Sequence, residues 1–254
     1  MTDDTRKAEI RSEYEQTHGE WDGNLQAVLD LDADFLAAYS KLAAAPAKTA
    51  ALPEKVQHFI RLAVAANSTH LYLPPVRGHI RRALDAGATP AEVMEVLECC
   101  ATLGIHSMNI GVPILVDVLE KAGLRTGPAE LTEYQERLKA EFTEKRGYWN
   151  AFWDGLLDLD PAFFEAYLEF SAHPWVHGVI PDKVKELLAI AWDASTTHMY
   201  EPGLRQHMAN ALGHGATPQE IMETLELAAT LGIQSYAVAL PILAEELPGQ
   251  RTGE

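Results

Sequence analysis

The chain contains the same unit twice. Residues 86–119 recur as residues 214–247, and 19 of these 34 aligned positions are identical. The same offset of 128 aligns Pro53 with Pro181 without a gap, so one duplicated unit accounts for nearly the whole chain. Two separate copies of such a unit would form a homodimer. We therefore predict that the fused repeats dock about a pseudo-two-fold axis, as closed symmetry favours.

Apolar residues recur at helical spacing through each repeat, and no run of strand length alternates with period two. Thr89 and Thr217 each precede a proline and stand three positions before a glutamate. This is the pattern of a capping box at the start of a helix. The sequence therefore predicts an all-α fold, with residues 1–122 as the first repeat, 123–132 as a linker and 133–254 as the second repeat.

Proline and glycine set the expected helix boundaries. The segments STHLYLPP and TTHMYEPG should each end the helix that begins at Pro53 or Pro181. We expect a first amphipathic segment over Asn24–Leu42 and its copy over Phe152–Ser171, with a helix start at Asp160 and Pro161 inside the copy. The most apolar helix of each repeat should be interrupted at Gly104 and Gly232, and again near Pro113 and Pro241.

Charge and composition narrow the range of functions. The net charge of −17 argues against nucleic acid and anionic membranes as partners, because both are bound through lysine and arginine. Apolar stretches break well before about 20 residues and the N-terminal sequence lacks an apolar signal core, so we expect a cytoplasmic protein. Cys99 and Cys100 are replaced by Leu227 and Ala228 in the second repeat, and we interpret them as small core residues.

The duplication also distinguishes the histidines that occur in both repeats from those that occur in only one. Two histidine positions are occupied in both copies, on either side of the proline-containing loop, and a third position one helix earlier is histidine in one copy and glutamate in the other. Each repeat therefore offers three proton carriers or metal ligands: His58, His70 and His79 in the first, and Glu186, His198 and His207 in the second.

A helical hairpin brings the residues that flank its turn level with each other. Positions 58 and 79, and likewise 186 and 207, straddle the turn at similar distances and are the best-founded pairs. A structural role is the alternative for each histidine, with its ring nitrogens bonded to loop carbonyls, and recent duplication alone would explain why two are retained. We interpret the unmatched histidines as surface or packing residues: His18, His106, His173, His177 and His214.

The order of these features resembles a known family. A helix with an acidic residue, a short loop, a histidine one helix later, the segment G-A-T-P-x-E-[VI] and the segment T-L-G-I are similar to the carboxymuconolactone decarboxylase family, which includes the alkylhydroperoxidase D-like proteins. The resemblance covers Leu52–Leu119 and Ile180–Leu247. It implies two tandem helical repeats of the alkylhydroperoxidase D-like type.

In the peroxidase branch of this family the site consists of a glutamate, a Cys-x-x-Cys and a histidine. The resemblance places the glutamate at Glu186, the first cysteine at His198 and the histidine at His207, with His58, His70 and His79 in the first repeat. The cysteines are therefore missing, and peroxide reduction needs a thiolate and a resolving thiol. The decarboxylase branch also lacks the cysteines.

The resemblance thus implies acid–base chemistry without a cofactor on a small carboxylated lactone or related ring compound. Histidine suits proton transfer near neutral pH. Arg77 and Arg205 are matched across the repeats and could bind the substrate carboxylate, although exposed ion pairs with glutamates are an equal alternative. Tyr72 and Tyr200, matched in the loops, are further candidates for substrate binding.

Two other functions stay open. Three histidines, or two histidines and a carboxylate, are ligand sets of zinc and non-haem iron, so His58, His70 and His79 or Glu186, His198 and His207 are candidate metal ligands. A non-catalytic oligomer that binds a small molecule is the third possibility.

We predict that the second repeat holds the active pocket, because a carboxylate at position 186 can orient His207 and raise its basicity. The apolar long helix predicts self-association. Since the family resemblance suggests rings of about six single repeats, a fused pair would form a homotrimer.

Overall fold

The computed structural model describes residues 3–18, 21 and 23–247, and this part of the chain consists of helices and turns without a strand. The all-α prediction is therefore confirmed. Three short 3₁₀ helices occur at Thr102–Ile105, Ala151–Trp153 and Thr230–Gly232. The α-helices are α1 (Asp3–His18), α2 (Gly23–Leu31), α3 (Ala33–Ala43), α4 (Pro46–Thr49), α5 (Glu54–Ala66), α6 (Leu73–Asp85), α7 (Pro90–Ala101), α8 (His106–Lys121), α9 (Glu133–Arg146), α10 (Asp154–Leu159), α11 (Pro161–His177), α12 (Asp182–Ala194), α13 (Glu201–Gly213), α14 (Pro218–Ala229) and α15 (Ile233–Glu246).

Local signals set most helix boundaries. Both predicted capping boxes form: the Thr89 and Thr217 hydroxyls accept from the backbone N–H three residues later, and the glutamate there accepts from the threonine N–H. The first amphipathic segment is two helices rather than one, because the carboxylate of Asp32 caps α3 by accepting from the N–H of Phe35. Asp160 caps α11 in the same way, as predicted.

The interruption of the most apolar helix is only partly as predicted. A 3₁₀ turn interrupts it at Gly104 and at Gly232. Pro113 and Pro241 lie inside continuous α-helices, however, so the second predicted break is wrong. A proline removes one backbone hydrogen bond and can be accommodated where the rest of the helix is held by packing.

The two repeats dock about a pseudo-two-fold axis, as predicted. The hydroxyls of Thr69 and Thr197, which are equivalent residues, lie 3.3 Å apart. A residue can contact its own equivalent only close to the symmetry axis. The axis therefore passes between the loops that follow α5 and α12.

A central core joins the repeats. It is built from α5, α7, α12 and α14, with Phe59, Ile60, Leu187 and Leu188 almost fully buried. Helices α5 and α12 contact each other, and the capping-box helices α7 and α14 each pack on the other repeat. The capping-box helices therefore share this interface with α5 and α12.

Each of the two outer cores contains residues of both repeats. Leu240 of α15 packs with Leu25 and Leu36 of the N-terminal helices, although these belong to different repeats. In the equivalent core, Val112 of α8 packs with Trp153. Each candidate site therefore has walls from both repeats.

The outer faces of α8 and α15 are apolar and exposed, with Ile110, Ile114, Val238 and Ile242 among the exposed side chains. The helical stretches Pro90–Lys121 and Pro218–Glu246 are long and apolar enough to cross a membrane by length and composition alone, and about a third of each is buried inside the protein. This is weak evidence for a span, because helices that contribute to a protein core pass the same test.

Candidate active site

Two equivalent helical hairpins carry the candidate residues. Helices α5 and α6, and α12 and α13, are joined by turns in which Leu71 and Met199 adopt left-handed backbone angles, with φ of 49° and 52°. The N–H of Tyr72 donates to the carbonyl of Ala65, and the N–H of Tyr200 donates to that of Asp193. These tight turns fold each hairpin back on itself, so the second helix packs along the first.

In the second repeat the predicted pair forms. His207 Nδ1 lies 2.6 Å from Oε2 of Glu186, and Nδ2 of Asn210 donates to the other carboxylate oxygen at 3.1 Å. Glu186 is fully buried. Because a carboxylate only accepts hydrogen bonds, Nδ1 of His207 carries a hydrogen, which leaves Nε2 as the basic nitrogen of the neutral ring.

His198 belongs to a different cluster in the same buried region. Its Nε2 lies 2.6 Å from Nδ1 of His106, and the two rings stack. Oδ1 of Asp193 lies 3.7 Å from His106 Nδ1 and 3.8 Å from His198 Nε2. Tyr200 stacks on His106 with ring centroids 4.0 Å apart.

The surroundings of this cluster change its protonation. Burial raises the pKa of Asp193 to about 7, and the negative charge of Glu186 adds to the rise while His207 opposes it. Burial lowers the pKa of His106 to about 3, with a further contribution from His198 and His207. His106 is therefore uncharged at neutral pH, and burial also lowers the pKa of His198.

The equivalent residues of the first repeat are arranged differently. The rings of His58 and His79 stack with centroids 5.6 Å apart, so positions 58 and 79 meet across the hairpin as positions 186 and 207 do. His70 Nε2 contacts Oε1 of Gln234. Burial lowers the pKa of His58 to about 4, and the positive charges of Arg82 and Arg61 lower it further.

The two cavities differ greatly in volume. The cavity beside His207 has about 50 Å³, whereas the one beside His58 and His79 has about 1200 Å³. Larger side chains fill the former at equivalent positions: Trp192 for Val64, Phe152 for Asn24 and Trp153 for Leu25. Arginines line the larger cavity, namely Arg61, Arg77 and Arg82.

The predicted substrate-binding residues are placed unequally. Tyr72 lines the large cavity and Tyr200 the small one. Arg77 is exposed at the edge of the large cavity. Arg205 does not line the small cavity: its side chain is 78% exposed and forms an exposed ion pair with Glu201 one helical turn away.

Neither predicted metal-ligand set comes together. Among the described residues, the cluster whose ligand atoms all lie within 4.8 Å of one another consists of His106, Asp193 and His198. His198 is common to the prediction and the structure. Glu186 and His207 bind each other instead.

His106 and Asp193 are residues that the sequence analysis missed. His106 was interpreted as a surface or packing residue, yet it is largely buried against His198 and Tyr200. The available signal was the difference between the repeats, since Gln234 and Ala65 occupy the equivalent positions. Of the other unmatched histidines, His173, His177 and His214 are exposed, and the side chain of His18 lies outside the described residues.

The cysteines are buried and free. Burial raises the pKa of the Cys99 thiol to about 12 and raises that of Cys100 as well. Cys99 lines the small cavity, but at neutral pH it is a thiol and not the thiolate that reacts.

Comparison with known proteins agrees with this arrangement. The model of the carboxymuconolactone decarboxylase family matches residues 33–105 and 161–245, one match in each repeat. A crystal structure from Burkholderia xenovorans LB400, described as a "putative gamma-carboxymuconolactone decarboxylase subunit", is 46% identical over 97% of this chain and 98% of that chain, with a TM-score of 0.94. Among curated proteins no relative matches. The chain, with its two equivalent helical hairpins, belongs to the carboxymuconolactone decarboxylase family.

Proposed function

We propose that the protein is an enzyme that transfers protons to or from a small carboxylated lactone or a related ring compound, as a decarboxylase or an isomerase. The observation that carries this proposal is the buried contact of 2.6 Å between Glu186 and His207. Glu186 fixes the orientation of the imidazole and stabilises its protonated form, which is the role of a carboxylate behind a catalytic histidine.

Decarboxylation then needs little else from the protein. The bond between the ring carbon and the carboxylate breaks, CO₂ leaves, and the electron pair left on carbon takes up a proton. His207 first takes up a proton from solvent on Nε2, with the added charge balanced by Glu186, and then gives that proton to the carbon. An isomerase would use the same nitrogen to remove a proton and return it to another carbon.

The proposal excludes thiol peroxidase activity. The positions that carry the cysteines in the peroxidase branch are not cysteine in either repeat, and both cysteines of this chain are buried with raised pKa values. A peroxidase needs an accessible thiolate with a resolving thiol beside it.

The large cavity is a second candidate location for the reaction. Small-molecule sites usually have about 300–1,000 Å³, so the cavity of about 50 Å³ in the second repeat must widen to admit a ring compound. The cavity of about 1200 Å³ in the first repeat admits one without change, and its arginines suit a carboxylate. His58 and His79 would then be the proton carriers.

A matched pair of variants decides between the repeats. Release of CO₂ and the loss of lactone absorbance are measured on carboxylated lactones for the wild type, Glu186→Gln and His58→Gln. Both substitutions remove a titratable group and keep a polar side chain. If the second repeat is active, Glu186→Gln lowers kcat by roughly 10²–10⁴-fold, the usual contribution of acid–base catalysis, and His58→Gln changes it little.

The reverse pattern would place the reaction in the first repeat. Absence of turnover on every carboxylated lactone, with binding retained, would support the third possibility of a non-catalytic small-molecule-binding oligomer. Circular dichroism of each variant checks that the helices are intact.

A further inference from the structure

A cluster outside the proposed acid–base pair has the composition and spacing of a metal site. The three candidate ligand atoms are Nδ1 of His106, Nε2 of His198 and Oδ1 of Asp193, with separations of 2.6, 3.7 and 3.8 Å. A point equidistant from all three lies about 2.0 Å from each, and zinc binds histidine nitrogen at about 2.0–2.1 Å and carboxylate oxygen at about 2.0–2.2 Å.

No hydrogen bond from a described residue accounts for the buried carboxylate of Asp193. The side chain is fully buried, and neither of its oxygens has a hydrogen-bond partner in the described part of the chain. Buried carboxylates are normally paired, hydrogen-bonded or bound to a metal, because desolvation is costly. The two histidines are the groups that Asp193 faces at 3.7 and 3.8 Å.

Gly203 makes room for this carboxylate. A Cβ at position 203 would collide with Oδ2 of Asp193, so a larger residue there would displace the carboxylate. The first repeat has Pro75 at the equivalent position, together with Ala65 in place of the aspartate. The glycine and the aspartate therefore occur together in one repeat and are absent together from the other.

The first repeat serves as an internal comparison on the same backbone. Its equivalent of His198 is His70, which contacts the amide of Gln234. Exchange of Gln234 for His106, and of Ala65 for Asp193, converts one histidine with an amide partner into two histidines with a carboxylate. Each exchange within the cluster introduces a metal ligand.

We propose that His106, Asp193 and His198 bind a divalent transition-metal ion, and that the first repeat lacks this site. Two histidines and one carboxylate form a common set of protein ligands for catalytic zinc and for non-haem iron, and both leave positions for a solvent or substrate ligand. His106 also lines the cavity of about 50 Å³, which has room for water-sized ligands. The proposed site does not depend on the reaction proposed above.

Zinc binding to the purified full-length protein tests the site directly. The rings of His173 and His177 lie 5.1 Å apart on the exposed side of α11 and could capture zinc adventitiously. The reference protein therefore carries His173→Gln. After removal of metal with a chelator, it is titrated with Zn²⁺ against a chromophoric competitor, and with Co²⁺ while the visible spectrum is recorded.

We expect one equivalent of Zn²⁺ per chain in the reference protein, and a Co²⁺ spectrum with bands from nitrogen and oxygen ligands. His106→Gln and Asp193→Ala, each made in the reference background, should abolish both signals. These substitutions install the residues found in the first repeat, at Gln234 and Ala65.

Two outcomes would overturn the proposal: no zinc bound by the reference protein, or one equivalent still bound by both variants. Circular dichroism and thermal melting check folding. If Asp193→Ala does not fold, His106→Gln decides alone, because glutamine already occupies this position in the other repeat.

Discussion

The carboxylate of Glu223 in the second repeat accepts a hydrogen bond of 2.7 Å from the backbone N–H of Ala51 in the first. Its equivalent, Glu95, accepts one of 2.6 Å from the N–H of Val179 in the opposite direction. Both glutamates lie on capping-box helices and are buried. These reciprocal polar contacts therefore help the apolar core to join the repeats.

These two contacts should differ in strength. Glu95 also pairs with the buried Lys185 at 3.1 Å, and position 57, which is equivalent to 185, is glutamine. Glu95→Gln removes the nearer and more deeply buried of the two carboxylates that Lys185 contacts, the other being Asp182 at 3.3 Å, and should lower the free energy of unfolding by more than the equivalent substitution at Glu223. Glu223→Gln keeps a carbonyl oxygen that can accept from the same backbone N–H groups and loses only the negative charge, so it should cost about 1 kcal/mol. Urea denaturation of both variants measures the difference, and equal losses would contradict this account of Lys185.

The cysteines should be dispensable for activity. We predict that the double variant Cys99→Ala, Cys100→Ala keeps the catalytic activity of the wild type, and that the wild type shows no thiol-dependent reduction of hydroperoxides. The physical reason is burial, which raises the pKa of both thiols. A hydroperoxidase assay with a dithiol donor checks this. A substantial rate that disappears in the double variant would refute both this prediction and the acid–base proposal.

The stability of the protein should fall in mild acid partly because of His58. Burial lowers its pKa from the ordinary value of 6.5 to about 4 in the folded protein, so below pH 6.5 the unfolded chain binds more protons at this site. The contribution of His58 to the free energy of unfolding is therefore fully present above pH 6.5 and is lost as the pH falls toward 4. Between pH 7 and pH 5 this amounts to about 2 kcal/mol. Urea denaturation at both pH values should show a smaller loss in His58→Gln, and an equal loss in both proteins would count against a buried neutral His58.

Self-association should cover the exposed apolar faces of α8 and α15. We predict a homotrimer, which at 27.9 kDa per chain has a mass of about 84 kDa. Ile114 and Ile242 are 58% and 59% exposed in the single chain. Burial of such patches is a usual driving force for association.

Size-exclusion chromatography with light scattering measures the mass of the wild type and of Ile114→Glu. The exposed Leu124→Glu, outside both helices, is the control. A wild type that elutes as a 27.9 kDa monomer would refute the prediction.

The sequence by itself determined the repeat architecture and most helix boundaries. Thr89 and Thr217 cap their helices through groups only three residues away, and apolar periodicity is a property of one helix at a time. The pairing of Glu186 with His207 also followed from one hairpin, because both residues belong to adjacent helices joined by a short turn. Helix caps and hairpin pairs depend on residues that are close in the sequence, so the sequence alone can predict them.

Only the tertiary structure decided which residues meet across the repeats. His106 and His198 are 92 positions apart and on different repeats, and no spacing rule relates them. His106 and Asp193 are not shared by both copies, so the duplication does not point to them, and the exchanges at these positions make the two sites different. The cavity volumes were also beyond the sequence, because Trp192 and Phe152 fill space that is bounded by helices of both repeats. Contacts of this kind depend on how the duplicated units pack, and that packing is set by the whole core rather than by any local pattern.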